Sequence, residues 1–209
     1  MIFDDIRFAD AEGNRGVFSG NIYHNMFSNN RMNMHLDVNK VLVLKTTEKE
    51  SPTYYGTVYA SGNMSILGTT QDVRMAINAQ TEPGSTFCLT PTAKGDISGN
   101  DYILFQNTTQ EQNVDIENIT SSVTARLDLD ITPDAQLRVV INPATDNQLT
   151  AYGKGRMIIG INKSGDININ GDYNIERGLY NFTFENIINK QFEINNGSRI
   201  VWQGDPYDA

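Results

Sequence analysis

The chain has a single cysteine, Cys88, and two histidines, His24 and His35. One cysteine excludes an internal disulfide, and no Cys/His cluster exists to hold a structural zinc. A nucleophilic triad needs a histidine that a serine or cysteine can reach. His35 lies in an alternating run, Met32 to Val38, and His24 stands beside Asn25 in a polar stretch. Both read as surface or hydrogen-bonded structural residues, and the chain reads as a non-enzyme without a cofactor. Positive charge is also scarce, with 16 Lys and Arg against 25 Asp and Glu and a net charge of −9. Nucleic acid is excluded as a partner, because phosphate binding runs on clustered basic surface. The same balance disfavours electrostatic docking on anionic lipid. No apolar run approaches the ~20 residues of a membrane span. Met1-Ile2-Phe3-Asp4-Asp5 lacks the basic and apolar regions of a signal peptide, so the chain is either cytosolic or a piece whose targeting segment lies upstream. Apolar spacing of the helical kind is confined to Gln110–Ile119, which admits one short helix.

What the chain does have is alternation. Of 209 residues, 39% are hydrophobic and 20% charged, enough for a real core. In the last third, Met157, Ile159 and Ile161 alternate with other residues, as do Ile167 and Ile169, and Tyr173 and Ile175. The pattern continues through Tyr180, Phe182 and Phe184, through Phe192 and Ile194, and through Ile200 and Trp202. Successive strand side chains point to opposite faces, so these are two-faced strands. Lys163 to Asp166, Asn170-Gly171-Asp172, Glu176-Arg177-Gly178 and Asn195 to Ser198 supply the turn chemistry for an antiparallel meander.

Upstream, the same period runs through Val123, Ala125, Leu127, Leu129 and Ile131, then past Thr132-Pro133-Asp134-Ala135 to Leu137, Val139 and Ile141, with a hairpin across Asn142 to Gln148. It appears again at Met32, Met34, Leu36 and Val38, at Met64 and Ile66, at Val73 to Ala79, and at Phe87 and Leu89. Val41 to Leu44 is unbroken, which fits a strand covered on both sides or a bulged phase shift. Glu48 to Pro52 reads as a loop. The chain divides into a β-meander over 1–91, a polar excursion or linker over 92–113, and a second β-meander over 114–209. Tyr55 to Gly62 and Tyr152 to Met157 echo one another loosely, without a fixed period.

Three local patterns imitate chemistry. Asp166, Asn168, Asn170 and Gly171 match the opening of a calcium-binding EF-hand loop, but its twelfth position, which must be a bidentate Glu, is Arg177, and no helices flank it. No metal site is expected. Asp128 and Asp130 sit two apart on one strand face, where a solvated surface is the simpler reading than a glycosidase pair. Tyr180, Phe182, Phe184 and Trp202 could stack on sugar, yet they share the parity of the apolar positions, which reads as core or groove lining. Asn107 and Asn118 sit in Asn-X-Ser/Thr sequons, which matter only on a eukaryotic secretory route.

A sheet with one continuous apolar face must cover it with another sheet, with helices, or with a ligand. Without helices, two all-β outcomes remain. A closed sandwich or barrel would bind a soluble ligand such as a glycan; a sheet folded but left open would form an apolar groove.

The residues Phe192-Glu193-Ile194-Asn195-Asn196-Gly197-Ser198-Arg199-Ile200-Val201-Trp202-Gln203-Gly204-Asp205-Pro206 resemble a signature near the C-terminus of TamB proteins, of the translocation and assembly module. Gly165-Asp166, Gly171-Asp172-Tyr173, Gly178-Leu179-Tyr180-Asn181-Phe182 and Lys190-Gln191-Phe192 are similar to the same family's upstream series. The likeness is specific over residues 123–209, looser over Tyr54 to Gly62 and Thr81 to Pro91, and absent over 92–113.

The resemblance implies a curved antiparallel β-taco in a large Gram-negative envelope protein. That protein would cross the periplasm from an N-terminal helix in the inner membrane. It also implies outer-membrane biogenesis through phospholipid transport, outer-membrane protein assembly and secretion, or both, beside an outer-membrane barrel of the TamA type. Family chains continue past the Gly-Asp-Pro signature with more strands. On that basis the groove lining falls to Leu127, Leu129, Ile131, Leu137, Val139, Ile141, Met157, Ile159, Ile161, Ile167, Ile169, Tyr173, Ile175, Tyr180, Phe182, Phe184, Ile200 and Trp202. Their cargo would be phospholipid acyl chains or nascent outer-membrane strands, the latter also able to add to an unpaired sheet edge.

Overall fold

The structure is a computed structural model, and it describes residues 1–25, 28–90, 122–142, 145, 147–164, 166–184 and 188–204. The excursion 92–113 and the short helix expected at Gln110–Ile119 lie outside the described residues. Among the described residues, twelve strands make one sheet. They are β1 Ile2–Ala9, β2 Arg15–Asn25, β3 Ser28–Thr46, β4 Tyr54–Thr69, β5 Asp72–Thr81 and β6 Thr86–Leu89, then β7 Ser122–Ile131, β8 Gln136–Asn142, β9 Asn147–Ile161, β10 Ile167–Phe184, β11 Ile188–Ile194 and β12 Ser198–Gly204. The chain forms the all-β sheet expected from the alternation, mostly antiparallel, and it is curved as the resemblance implies.

Its order is β1-β2-β3-β4-β5-β7-β9-β10-β11, with β6, β8 and β12 off that path. A strand has two edges, and β3 occupies one edge of β4, so β5 and β6 share the other, end to end. β7 and β8 likewise lie end to end along β9, and β12 and β11 along β10. Each pair is therefore one interrupted strand. The pairings β4-β5-β7-β9-β8-β6 close into a six-strand, barrel-like ring. Two of its pairings, β5–β7 and β6–β8, are parallel, which period-2 alternation cannot distinguish from antiparallel.

The interruptions are three similar β-turns. Ser85 donates its amide to the Glu82 carbonyl at 3.2 Å, Ala135 to Thr132 at 3.1 Å, and Ser198 to Asn195 at 3.2 Å. Two of them carry proline at the second position, Pro83 and Pro133, where its fixed φ suits the turn. The Thr132 and Asn195 turns foreseen in the sequence are present, but they do not reverse the chain, because the strands on both sides stay paired to the same neighbour. Asn170-Gly171-Asp172 and Glu176-Arg177-Gly178 are not reversals either. Both lie inside the 18-residue β10, the first with Gly171 at φ 149° and the second at a register shift between Ile175 and Arg177.

These irregularities fall on one line across the sheet. It starts at the Asp10–Asn14 turn, where Asp10 accepts the amides of Glu12 and Asn14 at 2.9 Å, the Asn14 side chain at 2.9 Å and, from β3, the amide of Leu42 at 3.1 Å. It crosses β3 at the register shifts between Val38 and Leu44, beside Lys40 at φ 53°. The unbroken Val41 to Leu44 run is thus a bulged phase shift. On β4 the seam passes Tyr59, whose amide donates to the Ser85 hydroxyl at 3.0 Å and whose carbonyl accepts the Glu82 amide at 2.9 Å. It continues through Thr81 and Thr132 to the β10 bulge, and ends where Gly197 donates its amide to the Ile175 carbonyl at 3.1 Å. The buried residues gather along this seam, among them Ala60, Thr81, Ser85, Ala135, Ala151, Tyr173 and Ile175. The seam divides the sheet into two leaves, and the leaves fold toward each other along it.

Candidate functional site

Register, not sequence spacing, decides which side chains of different strands share a face. Followed across the sheet, one row reads Ile6, Phe18, Leu36, Met64, Ile77, Leu127, Ile159, Ile169. Eight strands each contribute an apolar residue, without a gap. The row beside it runs Phe3, Gly20, Met34, Ile66, Met75, Ala125, Ile161, Ile167, and the row on the seam side runs Phe8, Gly16, Val38, Gly62, Ala79, Leu129, Met157, Gly171, Trp202. At ~4.8 Å between strands, the eight-strand row is about 34 Å long, longer than the ~30 Å hydrocarbon core of a bilayer. A row on the opposite face reads Asp37, Asn63, Asn78, Asp128, Ile158, Asn170, Gln203, polar but for one residue.

The apolar face is the inside of the fold. Leu137, Leu149 and Ile194 of one leaf pack on the same cluster as Leu129, Ile159, Ile169 and Ile200 of the other, around buried Ala151, Met157, Tyr173, Ile175 and Trp202. At about 1.5–3 kcal/mol per fully buried large side chain, this cluster is the main stabiliser of the β9–β12 end. Close approach there depends on glycine: Tyr173 stands opposite Gly155 and Ile175 opposite Gly153, and a Cβ on either glycine would lie 2.1–2.3 Å from a β10 carbonyl oxygen.

The other end is open. Over β2, β3 and β4 the floor is half-buried, and Phe18, Met34, His35, Leu36, Met64 and Ile66 line a recess of ≈ 160 Å³, about the size of an apolar cavity that holds benzene. His35 itself is paired outward, with Nε2 3.1 Å from the Asp37 carboxylate. Met32, Met34, Met64 and Met75 cluster on this floor, unbranched and polarizable side chains that repack easily around different partners.

Leu127, Leu129, Ile131, Met157, Ile159, Ile161, Ile167, Ile169, Tyr173, Ile175, Ile200 and Trp202 share the floor of the first leaf, and Leu137 and Val139 that of the second. Tyr180 is opposite Leu149 and Phe192, and its ring centroid lies 6.3 Å from Phe182 and 6.4 Å from Phe192, so these aromatics sit in the apolar stripe. Ile141 and Phe184, at strand ends, are more than half exposed. The part of the floor formed by Phe18, Met32, Met34, Met64, Ile66 and Met75 was missing from the candidate lining. Its alternation was visible, but its parity relative to the later strands was not.

The remaining candidates resolve into structure. Asp128 pairs with Arg126 at 3.2 Å and Asp130 with Arg156 at 3.9 Å, both on the polar face. Asp166 caps the β9–β10 turn through the Asn162 amide and side chain. Among the described residues, no cluster of three or more His, Cys, Asp or Glu could hold a metal. Cys88 is buried opposite Tyr55, and burial pushes its thiol pKa up, away from the reactive thiolate. Among the described residues, no helix is long and apolar enough to cross a membrane.

These features define a class: a one-sided β-sheet, folded along a transverse seam with its apolar face inward and only part of that face filled by its own core. The family model for the TamB C-terminal domain matches residues 4–209, and the chain belongs to that family. Neither the curated proteins nor the solved structures contain a match to the chain.

Proposed function

We propose that this chain is the hydrophobic-groove module of a periplasmic TamB-like envelope protein. In this reading it is not an enzyme; its concave face shields phospholipid acyl chains in transit between the inner and outer membranes. The observation that carries the reading is the unbroken apolar row from Ile6 to Ile169, filled at the β9–β12 end and accessible over β2–β4. A sliding hydrocarbon needs a continuous apolar track and no fixed polar partners. At ~25 cal/mol per Å², covering a few hundred Å² of such surface stabilises the bound chain by several kcal/mol.

Two observations favour hydrocarbon over the alternatives. Glycan binding calls for exposed aromatics on a polar face, whereas Tyr180, Phe182 and Trp202 sit with the apolar floor. A polypeptide strand lying on the floor would leave its amides and carbonyls unpaired in an apolar setting, at about 1–3 kcal/mol each. Incoming outer-membrane strands fit the sheet edges better, where β1 and the β11–β12 line have one unpaired side. Family membership supports an inner-membrane anchor outside this chain and a TamA-type barrel as docking partner.

The test is Ile167→Asp, a floor residue 50% exposed and so tolerant of the change. In the full-length protein, the variant is expected to fold as wild type and to co-purify with less phospholipid by mass spectrometry. Equal lipid retention by folded variant and wild type would remove the groove from the mechanism.

A further inference from the structure

The inward face of the second leaf carries an apolar row of its own. By register it runs Tyr54, Leu89, Val139, Leu149, Tyr180, Phe192, from β4 through β6, β8, β9 and β10 to β11. Beyond it, at the β11 edge, Lys190 stands opposite Phe182 and between Ile188 and Phe192 on the same face. Among the residues paired in the sheet registers, every other Asp, Glu, Lys and Arg falls on the outer face, as Glu193 does on β11 itself. Lys190 is exposed, and its neighbours leave it open to solvent, Ile188 at 46% and Phe192 at 50% exposure. Among the described residues, no carboxylate lies within ion-pairing distance of it. It is four residues from Ile194, which packs on the core, so at ~3.3 Å per residue it sits about 13 Å out along the leaf, toward the rim away from the seam.

We propose that Lys190 is the headgroup site of the groove, its ammonium pairing with the phosphate of a phospholipid whose tails run inward from the rim along the apolar rows. The inference rests on the lipid reading above and gives the bound lipid a direction, tails toward the seam and phosphate at the β11 rim. A phospholipid carries its negative charge where its tails begin, which matches one cation at the end of a hydrocarbon surface. The four-carbon stem of a lysine can follow apolar neighbours while the ammonium reaches water or an anion. With a net charge of −9 the molecule at large repels an anion, so a phosphate is favoured only where an unpaired cation is at hand. Lysine meets phosphate as a point charge without a fixed fork, and an exposed pair of that kind is weak enough for the headgroup to leave again.

The experiment compares phosphatidylglycerol with diacylglycerol of the same tails, one tail bearing a fluorophore in both. Binding is measured on the full-length protein and on Lys190→Gln and Lys190→Arg, with inorganic phosphate at matched ionic strength as competitor. Wild type is expected to bind phosphatidylglycerol about five-fold more tightly, Lys190→Arg to keep that ratio, and Lys190→Gln to bring it to one, with no displacement by inorganic phosphate. Equal binding of the two lipids by wild type, or a preference that survives in Lys190→Gln, would overturn the site while leaving the groove intact. Displacement of phosphatidylglycerol by inorganic phosphate would assign the lysine to the free anion and overturn the lipid assignment. A lysine that only keeps other strands off the β11 edge would show instead as self-association of Lys190→Gln with the lipid ratio unchanged, which also overturns the proposal. Binding of neither lipid would remove the lipid reading and this inference with it.

Discussion

Thr132 is held against Thr81 across the parallel β5–β7 pair by three contacts. The Thr132 amide donates to the Thr81 hydroxyl at 2.9 Å, the Thr132 hydroxyl donates to the Thr81 carbonyl at 3.0 Å, and the two hydroxyls lie 3.1 Å apart. Thr81 is buried, so this knot pins the middle of the seam where two turns would otherwise leave backbone groups unpaired. Thr81→Val is expected to destabilise the domain by about 1–3 kcal/mol, because it strands the Thr132 amide. Thr132→Val, followed in the same urea titration, should cost less, and the double variant should fall short of the sum, since the residues share partners.

The bends inside strands depend on particular glycines. Gly171 has φ 149°, and a Cβ there would lie 2.2 Å from the Arg156 carbonyl oxygen, so Gly171→Ala should cost at least about 1–3 kcal/mol. Gly160, on the neighbouring strand, has open space around it and no such φ. Gly160→Ala should be neutral or stabilising by up to about 1 kcal/mol. Thermal unfolding of the two variants side by side separates a bend that needs glycine from a strand that merely contains one.

Asp10 sets the pH dependence of the seam's first turn. Its hydrogen bond from the Asn14 side chain, with the amides of Leu42, Asn14 and Glu12, lowers its pKa from 3.8 to about 2. The folded state thus favours the carboxylate more than the unfolded chain does. This contribution is complete above pH about 4 and is lost as pH falls toward 2. Asp10→Asn is expected to flatten the acid side of the stability curve in that window, which chemical denaturation at stepped pH would read directly.

Tyr173 acts at the opposite extreme. Its pKa is raised from 10.0 to about 12, so the neutral form is favoured in the fold, and the associated stability is present below pH 10 and lost as pH rises through 12. Ultraviolet titration should show one tyrosine ionising near the alkaline limit, absent in Tyr173→Phe. In the unliganded protein that variant should be as stable as wild type or slightly more so, because the hydroxyl it removes has no partner among the described residues.

Much of this was legible in the sequence, because period-2 alternation is local. Met32 to Val38, Leu127 to Ile131 and Met157 to Ile161 announce two-faced strands residue by residue, and Phe192 to Pro206 carries the family likeness. The seam was not legible. Pro133 and Gly197 signal turns, but whether a turn reverses the chain depends on which strand lies alongside, and that is set by pairing far away in sequence. Gly171 reads as a turn former for the same reason, although its partners Met157 and Trp202 keep it in a strand. Nor could spacing show that Met34 and Ile66 continue the floor of Ile161 and Ile167, since that follows from five successive registers across the sheet.

Leu36 and Asp37 are adjacent in β3 and stand on opposite faces, Leu36 in the apolar row and its recess and Asp37 in the polar row, paired with His35. The most direct measurement places a photo-crosslinking amino acid at each position in turn in the full-length protein and scores lipid adducts in the living cell envelope. The account predicts phospholipid adducts from position 36 and few or none from position 37. Equal labelling at the two positions, or none at 36, would contradict it.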